Sequence, residues 1–330
     1  MSLTSIDFYA YRCREGAGTT QKALGAIFSG APDQISIVRR KTGWKGYERS
    51  YNVCIGDMPV GLVAEGGDNQ RGWSYVGISG QGCNWVKDWD RAQEAASACD
   101  GYDLKRVDIA YDTFDTAKGF DGALAAYRAG GFNTGGRNPK CEPMKPERFE
   151  DSAIIRVGNR ERDKYYRGYE KGKQMLGPQI AAASRKEDFD PVQWATHSMP
   201  VQHGDEIVLG NTFDWFRHEV ELKPKSGPLP EDLIDRRDQY FAGAYPYLST
   251  VLEGVESQAF VARRDVHPKL ELNLRLEAMR MQWGNTLFTA LAAHSGDVGA
   301  VWEKIVGHKH SQSLLEAGVL LVDHETKGVV

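Results

Sequence analysis

Apolar and polar residues alternate through much of the first two-thirds of the chain, the spacing of strands with one buried face. Residues 5–11 and 34–38 alternate in this way, and 51–55, 60–63 and 73–78 continue the pattern between glycine and asparagine turns. Helices are predicted over 19–27 and 88–97, with Asp88 or Asp90 as N-cap of the second. A strand follows at 105–111, then a helix at 120–129 that Gly130-Gly131 stops. Residues 133–146, rich in Gly, Asn, Pro and Lys, read as a loop. Runs 153–157 and 164–170 flank the polar turn 158–163 and read as a hairpin. Residues 177–203 are mixed and read as irregular; 212–223 is the last strand, ended by Pro224.

Beyond that proline the period lengthens to that of helices, over 231–244, 247–256, 269–295 and 297–306, the third broken near Gly284. No internal repeat or low-complexity tract interrupts the pattern. The expectation is an α+β fold: a mostly antiparallel central β-sheet flanked by helices, with a helical C-terminal layer. A β-rich domain over 1–225 and a helical region over 226–330 packed on it are the expected divisions.

Composition narrows the class. The 330 residues, 41% hydrophobic and 26% charged, suffice for a real core and suit a soluble globular protein. No apolar run reaches the ~18 residues a membrane span needs, and the first residues show no secretory pattern. Five scattered cysteines with no C-x-x-C pair suggest neither a zinc module nor a disulfide framework. A cytoplasmic protein is therefore expected. The net charge of −4 argues mildly against non-specific nucleic-acid binding. Charge is uneven, however: residues 137–173 hold eleven basic against seven acidic side chains, where a phosphate polymer would be drawn first.

Three strand-like runs carry candidate chemistry. In Arg106-Val107-Asp108-Ile109-Ala110-Tyr111-Asp112, alternation puts Asp108 and Asp112 on one face. Aspartate is a poor strand former, so two on one face ask for a reason: a solvated surface, or a divalent-cation or acid–base site. In 217–223, Arg217, Glu219, Glu221 and Lys223 share a face, which a cross-strand salt-bridge ladder would also explain. The four carboxylates together resemble a hard, oxygen-rich Mg²⁺ or Mn²⁺ site. In 164–172, Tyr165, Arg167, Tyr169 and Lys171 fall on one face, so Tyr169 is flanked at ±2 by cations. A phenol of pKa about 10 is a weak nucleophile, and adjacent positive charge favours its phenolate. The same cations can hold a phosphate. An ordinary sheet surface is the plainer alternative.

Taken in order, Arg-Val-Asp-Ile-Ala-Tyr-Asp (106–112), Arg-Gly-Tyr-Glu-Lys-Gly (167–172) and Arg-His-Glu-Val-Glu-Leu-Lys (217–223) resemble the replication initiation factors of filamentous phages. These belong to a Rep-trans type superfamily with plasmid rolling-circle replication initiators and some relaxases. Residues 76–83 also look like the phage members, and the resemblance runs from about Ile6 to Lys223. It implies a nicking–joining endonuclease over 1–225. A tyrosine, here Tyr169, attacks an origin phosphate with help from a divalent metal, Mg²⁺ or Mn²⁺. Arg167 and Lys171 match its flanking cations, and Asp108, Asp112, Glu219 and Glu221 the acidic positions. Asp108 and Glu219 are favoured as metal ligands, the other two as groups orienting a water or an arginine.

The better-known relaxases carry a His-hydrophobic-His metal motif that this chain lacks. His308-Lys309-His310 reads as a surface feature and His218 as structural. Tyr165 or Tyr166 is the alternative nucleophile, and Tyr165 or Trp215 a candidate for stacking on exposed bases. The implied partner is origin DNA, single-stranded at the nick and duplex beside it, in a bacterial host cell. A host polymerase would extend the free 3′-OH. The C-terminal helices have three alternative roles: binding duplex, forming a homodimer, or contacting a host helicase. Two rivals remain: a non-catalytic origin-binding replication protein, and a hydrolase using the acids as acid and base.

Overall fold

The structure, a computed structural model, describes residues 2–28, 34–135, 138–148, 151–185, 198–203, 206–224, 228–259, 268–311, 314–315 and 319–321. In chain order the elements up to the candidate motifs are β1 (Ser5–Cys13), α1 (Ala17–Ile27), β2 (Ile35–Arg39), β3 (Arg49–Ile55), β4 (Met58–Glu65), β5 (Ser74–Ile78), α2 (Gly80–Cys83), α3 (Trp89–Ser97) and β6 (Asp103–Thr113). Then come α4 (Phe120–Arg128), β7 (Cys141–Met144), β8 (Ile154–Val157), β9 (Lys164–Glu170), α5 (Lys171–Ala183), β10 (Ser198–His203), β11 (Glu206–Asn211) and β12 (Phe216–Leu222). Helices close the chain: α6 (Arg237–Ala244), α7 (Pro246–Val251), α8 (Pro268–Ala293) and α9 (Val298–Ile305).

Ten strands form one sheet in the order β2-β3-β4-β5-β1-β6-β12-β9-β8-β7, every neighbouring pair antiparallel. The fold is α+β with a large antiparallel sheet, as the alternating pattern implies. Edge strand β7 lies where a loop is expected; Pro143 is tolerated there because an edge leaves one side unpaired. Strands β10 and β11 make a separate hairpin. Asp88 caps α3, accepting from the Arg91 amide at 3.0 Å, and Asp90 lies in the first turn.

One face of the sheet is the core face. Cross-strand register aligns Tyr9 with Ile78 and Val107, Ile109 with Val220, and Val220 with Tyr166, all buried. Helices supply Leu24 and Ile27 of α1, Ala92 and Ala96 of α3, Ala123 of α4, Phe241 of α6 and Leu248 of α7 to the same core. Phe132 anchors one end, its ring 4.8 Å from Tyr166 and 5.3 Å from both Tyr245 and Tyr247. Such pairs add about 0.5–1.5 kcal/mol each beyond area burial.

The chain divides into two compact units, Met1–Arg263 and Arg264–Val330. The first runs past the 225/226 boundary expected from sequence, because α6 and α7 bury Phe241, Leu248 and Val251 in the sheet's core. In the second, α8 runs unbroken through Gly284, and Asp297 caps α9, its side chain accepting from the Ala300 amide. This unit exposes large apolar side chains, among them Met281, Phe288 and Trp302. Among the described residues no helix is long and apolar enough to cross a membrane.

Candidate active site on the sheet

The three motif strands are neighbours in space. β12 lies between β6 and β9, and register sets three rows across them: Asp112–Arg217–Tyr169, Ala110–Glu219–Arg167 and Asp108–Glu221–Tyr165. Paired residues share a face, so the two aspartates, two glutamates and Tyr169 all project from the face opposite the core. A solvated ladder would leave the acids exposed. Instead Asp108, Asp112, Glu219 and Glu221 are each at most 4% exposed. Burial on this scale disfavours charge unless it is paired.

Each acid is paired. Arg217 grips Asp112 with both arms, Nε to Oδ1 at 2.8 Å and Nη2 to Oδ2 at 2.7 Å, and the Trp215 indole also donates to Oδ1 at 2.7 Å. Arg106 donates to both oxygens of Asp108, at 2.7 and 2.5 Å, and reaches Glu221 at 2.9 Å. Glu221 is further held by Arg160 at 3.1 Å and Lys223 at 3.0 Å. Arg167 donates to Glu219 Oε1, and the Tyr169 hydroxyl donates to Glu219 Oε2 across a long 3.4 Å.

A fifth carboxylate, not anticipated from sequence, joins from β1. Ile6 pairs with Ile109 and Phe8 with Asp108, so Asp7 is the extra residue of a bulge. The bulge turns its side chain to Arg217, whose Nη1 donates to Oδ1 at 2.6 Å. Nothing in the local alternation marks that position.

Electrostatics follow from burial and this pairing. Burial raises the Asp108 carboxyl; Arg106 pulls it back and the charges of Glu219 and Glu221 push it up again, leaving it at about 7. Burial works against ionising Glu221, but Arg106, Lys223 and Arg160 hold it below the usual range. Tyr169 is pushed upward, by burial first and by Glu219 second, against the pull of Arg217 and Arg167. This corrects the expectation that its flanking cations favour the phenolate. Lys171 is lowered by burial and by Arg217.

Lys171 is also not a strand residue: β9 ends at Glu170 and Lys171 opens α5. It still reaches the site, its Nζ 5.7 Å from the centre of the Tyr169 ring, as Arg167 lies 5.8 Å from it. A pocket of ≈ 340 Å³ opens over Tyr169, walled by Arg156, Arg167, Lys171, Ser152 and Asp7. Arg156 enters through its pairing opposite Arg167, a register the sequence does not reveal.

The alternative groups are placed differently. Tyr166 lies on the core face, its hydroxyl 2.8 Å from His218 Nδ1. His218 is fully buried, and burial lowers it to about 3, so it is a neutral packing group. Gly168 leaves room for that pair: a Cβ there would stand 2.4 Å from the Tyr166 hydroxyl. Tyr165 and Trp215 are 9% and 5% exposed, so neither offers a free face to a base. His308 and His310 are exposed.

A divalent ion at the site would draw on this donor set. Among the described residues no three His, Cys, Asp or Glu side chains are arranged to hold one. Asp112 and Glu221 are committed to cations. Asp108 and Glu219 are engaged as well, Asp108 through both oxygens by Arg106 and Glu219 through Oε1 by Arg167, so an ion would have to displace a guanidinium. Mg²⁺ commonly uses only one or two carboxylates, completing its shell with water and substrate phosphate, so Asp108, released by Arg106, would suffice to seat one.

No protein-family model matches this chain, and no curated protein does. Among solved structures, one described as a rolling-circle replication initiator protein from Geobacillus stearothermophilus is similar. It is 17% identical, over 67% of this chain and 74% of that one, with a TM-score of 0.45.

Proposed function

We propose that this protein initiates rolling-circle DNA replication by nicking one strand at an origin, with Tyr169 as the nucleophile. The observation that carries the reading is the Tyr169 hydroxyl beneath a cation-walled pocket, 3.4 Å from a carboxylate oxygen that can take its proton. The ordered motifs that resemble phage initiation factors point the same way.

In this reading Arg156, Arg167 and Lys171 hold the scissile phosphate. The Tyr169 oxygen attacks phosphorus while its proton passes to Glu219 Oε2, a carboxylate that Arg167 orients through Oε1. The tyrosyl O–P bond forms and the P–O3′ bond breaks. Lys171, which burial makes a readier proton donor, protonates the leaving 3′ oxygen. The products are a 5′-phosphotyrosyl link and a free 3′-OH that a host polymerase can extend. The retained ester lets the reverse reaction rejoin the strand after one round. A divalent ion, Mg²⁺ or Mn²⁺, held by Asp108 in place of Arg106 would add neutralising charge at the phosphate, leaving Glu219 to take the proton. Asp112 and Glu221 keep Arg217 and Arg106 in place beside it.

A non-catalytic origin-binding protein is the second reading, favoured by the 5% exposure of Tyr169 and its upward-shifted pKa. Wild type and Tyr169→Phe, incubated with supercoiled DNA carrying the protein's own origin and Mg²⁺ or Mn²⁺, separate the two. Open circles bearing covalently attached protein, absent with Tyr169→Phe and with chelator, are expected. Origin binding without nicking by either protein would instead support the second reading. Nicking by the variant at the wild-type rate would move the role to another nucleophile.

A further inference from the structure

The site face of the sheet does not end at β6. Ala10 of β1 pairs with Arg106, and two residues on, Arg12 pairs with Tyr75 of β5. Tyr75 therefore stands on the face that carries Asp108 and Glu221. Phe8 lies between, with the Arg106 guanidinium 4.3 Å over its ring. Beyond Tyr75 comes Trp44, its ring centre 4.5 Å away, and then Tyr47, 6.3 Å from Trp44 and near-parallel to it.

Trp44 and Tyr47 are held together by a two-residue hairpin. Each amide donates to the other's carbonyl, at 3.1 and 2.9 Å. Lys45 and Gly46 between them have φ of 44° and 88°, the paired positive values of a type I′ turn. The turn places both rings on one side. Five cations accompany them in sequence, Arg39, Arg40, Lys41, Lys45 and Arg49, against one acid, Glu48. All but the half-buried Arg40 are exposed, and Lys45 Nζ lies 4.9 Å from the Trp44 ring centre. Trp73 adds a further ring, with the guanidiniums of Arg12 and Arg14 at 4.2 and 4.4 Å.

Half-buried aromatics among exposed cations suit a flexible polyanion with stackable rings better than a protein surface, because every base has a π-face and every linkage a charge. We propose that Trp44, Tyr47, Tyr75 and Trp73, with Lys45 and Arg12, form a stacking platform for single-stranded DNA running from the Tyr169 pocket. The proposal rests on the nicking reading for its direction. Four strand spacings separate β9 from β5, about 19 Å. At duplex rise this corresponds to roughly six nucleotides from the nick.

Fluorescence anisotropy with a fluorescein-labelled oligothymidylate of about 20 nucleotides tests the platform. A duplex of equal length serves as control. Trp44→Ala and Tyr47→Ala are expected to weaken single-strand binding about 10-fold or more each and to change duplex binding less. Wild-type affinity in both variants, or equal losses on single strand and duplex, would overturn the platform. If Trp44→Ala loses its folded far-UV signature, Lys45→Glu takes its place, since Lys45 is an exposed turn residue. It should weaken binding several-fold and flatten the salt dependence, and no change would sink the proposal. A wild-type protein with no affinity for the oligonucleotide would count against both the platform and the nicking reading. Binding that ignores the platform variants, with Tyr169-dependent nicking intact, would remove the platform alone.

Discussion

Asp108 shows how a single buried residue sets a property of the whole molecule. Both its oxygens are held by Arg106, yet burial and two neighbouring glutamates bring it to about 7. In the unfolded chain the same carboxyl titrates near 3.9. From about pH 4 to pH 7 the native state therefore holds a proton that the unfolded state has lost. The stability this group contributes is whole below about pH 4, falls as pH rises, and levels off above about 7. Asp108→Asn cannot ionise, so its stability relative to wild type should rise between pH 4 and 7, by on the order of a few kcal/mol. Urea midpoints at several pH values check this. A constant difference would mean that Arg106 keeps Asp108 ionised throughout.

At the scale of elements, the site depends on the start of α5, where β9 gives way to helix and presents Lys171. That junction needs Gly172: a Cβ there would lie 1.6 Å from the Thr212 carbonyl oxygen. Gly172→Ala must displace backbone, and a loss of about 1–3 kcal/mol or more is expected, with Lys171 moved from Tyr169. Gly25, inside α1, has open space where its Cβ would be. Gly25→Ala should stabilise by about 0.5–1 kcal/mol through helix propensity. Opposite signs in paired urea titrations are the expected result, and similar effects at both positions would contradict the close approach at Gly172. The β1 bulge acts similarly, since one added residue brings Asp7 to Arg217.

For the whole molecule, the proposed catalytic groups, their ion pairs and the core beneath them all belong to Met1–Arg263. A chain ended at Arg263 should keep the near-UV circular dichroism of its buried aromatics and unfold cooperatively. Loss of that signal would show that the sheet unit needs residues 264–330 to fold. The second unit exposes Met281, Phe288 and Trp302, so its removal should also reduce self-association, measurable in the same preparation by sedimentation.

Alternation of side chains is a local property of a strand, so the sequence alone determined most strands of the large sheet, their faces and the α+β class, but not edge strand β7 or the β10–β11 hairpin. It also put Asp108 with Asp112, Glu219 with Glu221, and Tyr169 between two cations. Three things were beyond it. Strand order is a long-range choice, and only pairing made β12 the partner of both β6 and β9, turning three separate runs into three rows. Register itself is invisible to a period of two, so the β1 bulge brought Asp7 and the regular β8–β9 pairing brought Arg156 into the site unannounced. Burial, finally, depends on everything packed around a residue. It turned a ladder that could have been solvated into buried ion pairs and moved Tyr169 away from phenolate. The basic, aromatic segment 39–49 drew no attention in the sequence; the β1–β5 register, with Trp44 packed on Tyr75, placed it on the same face as the tyrosine.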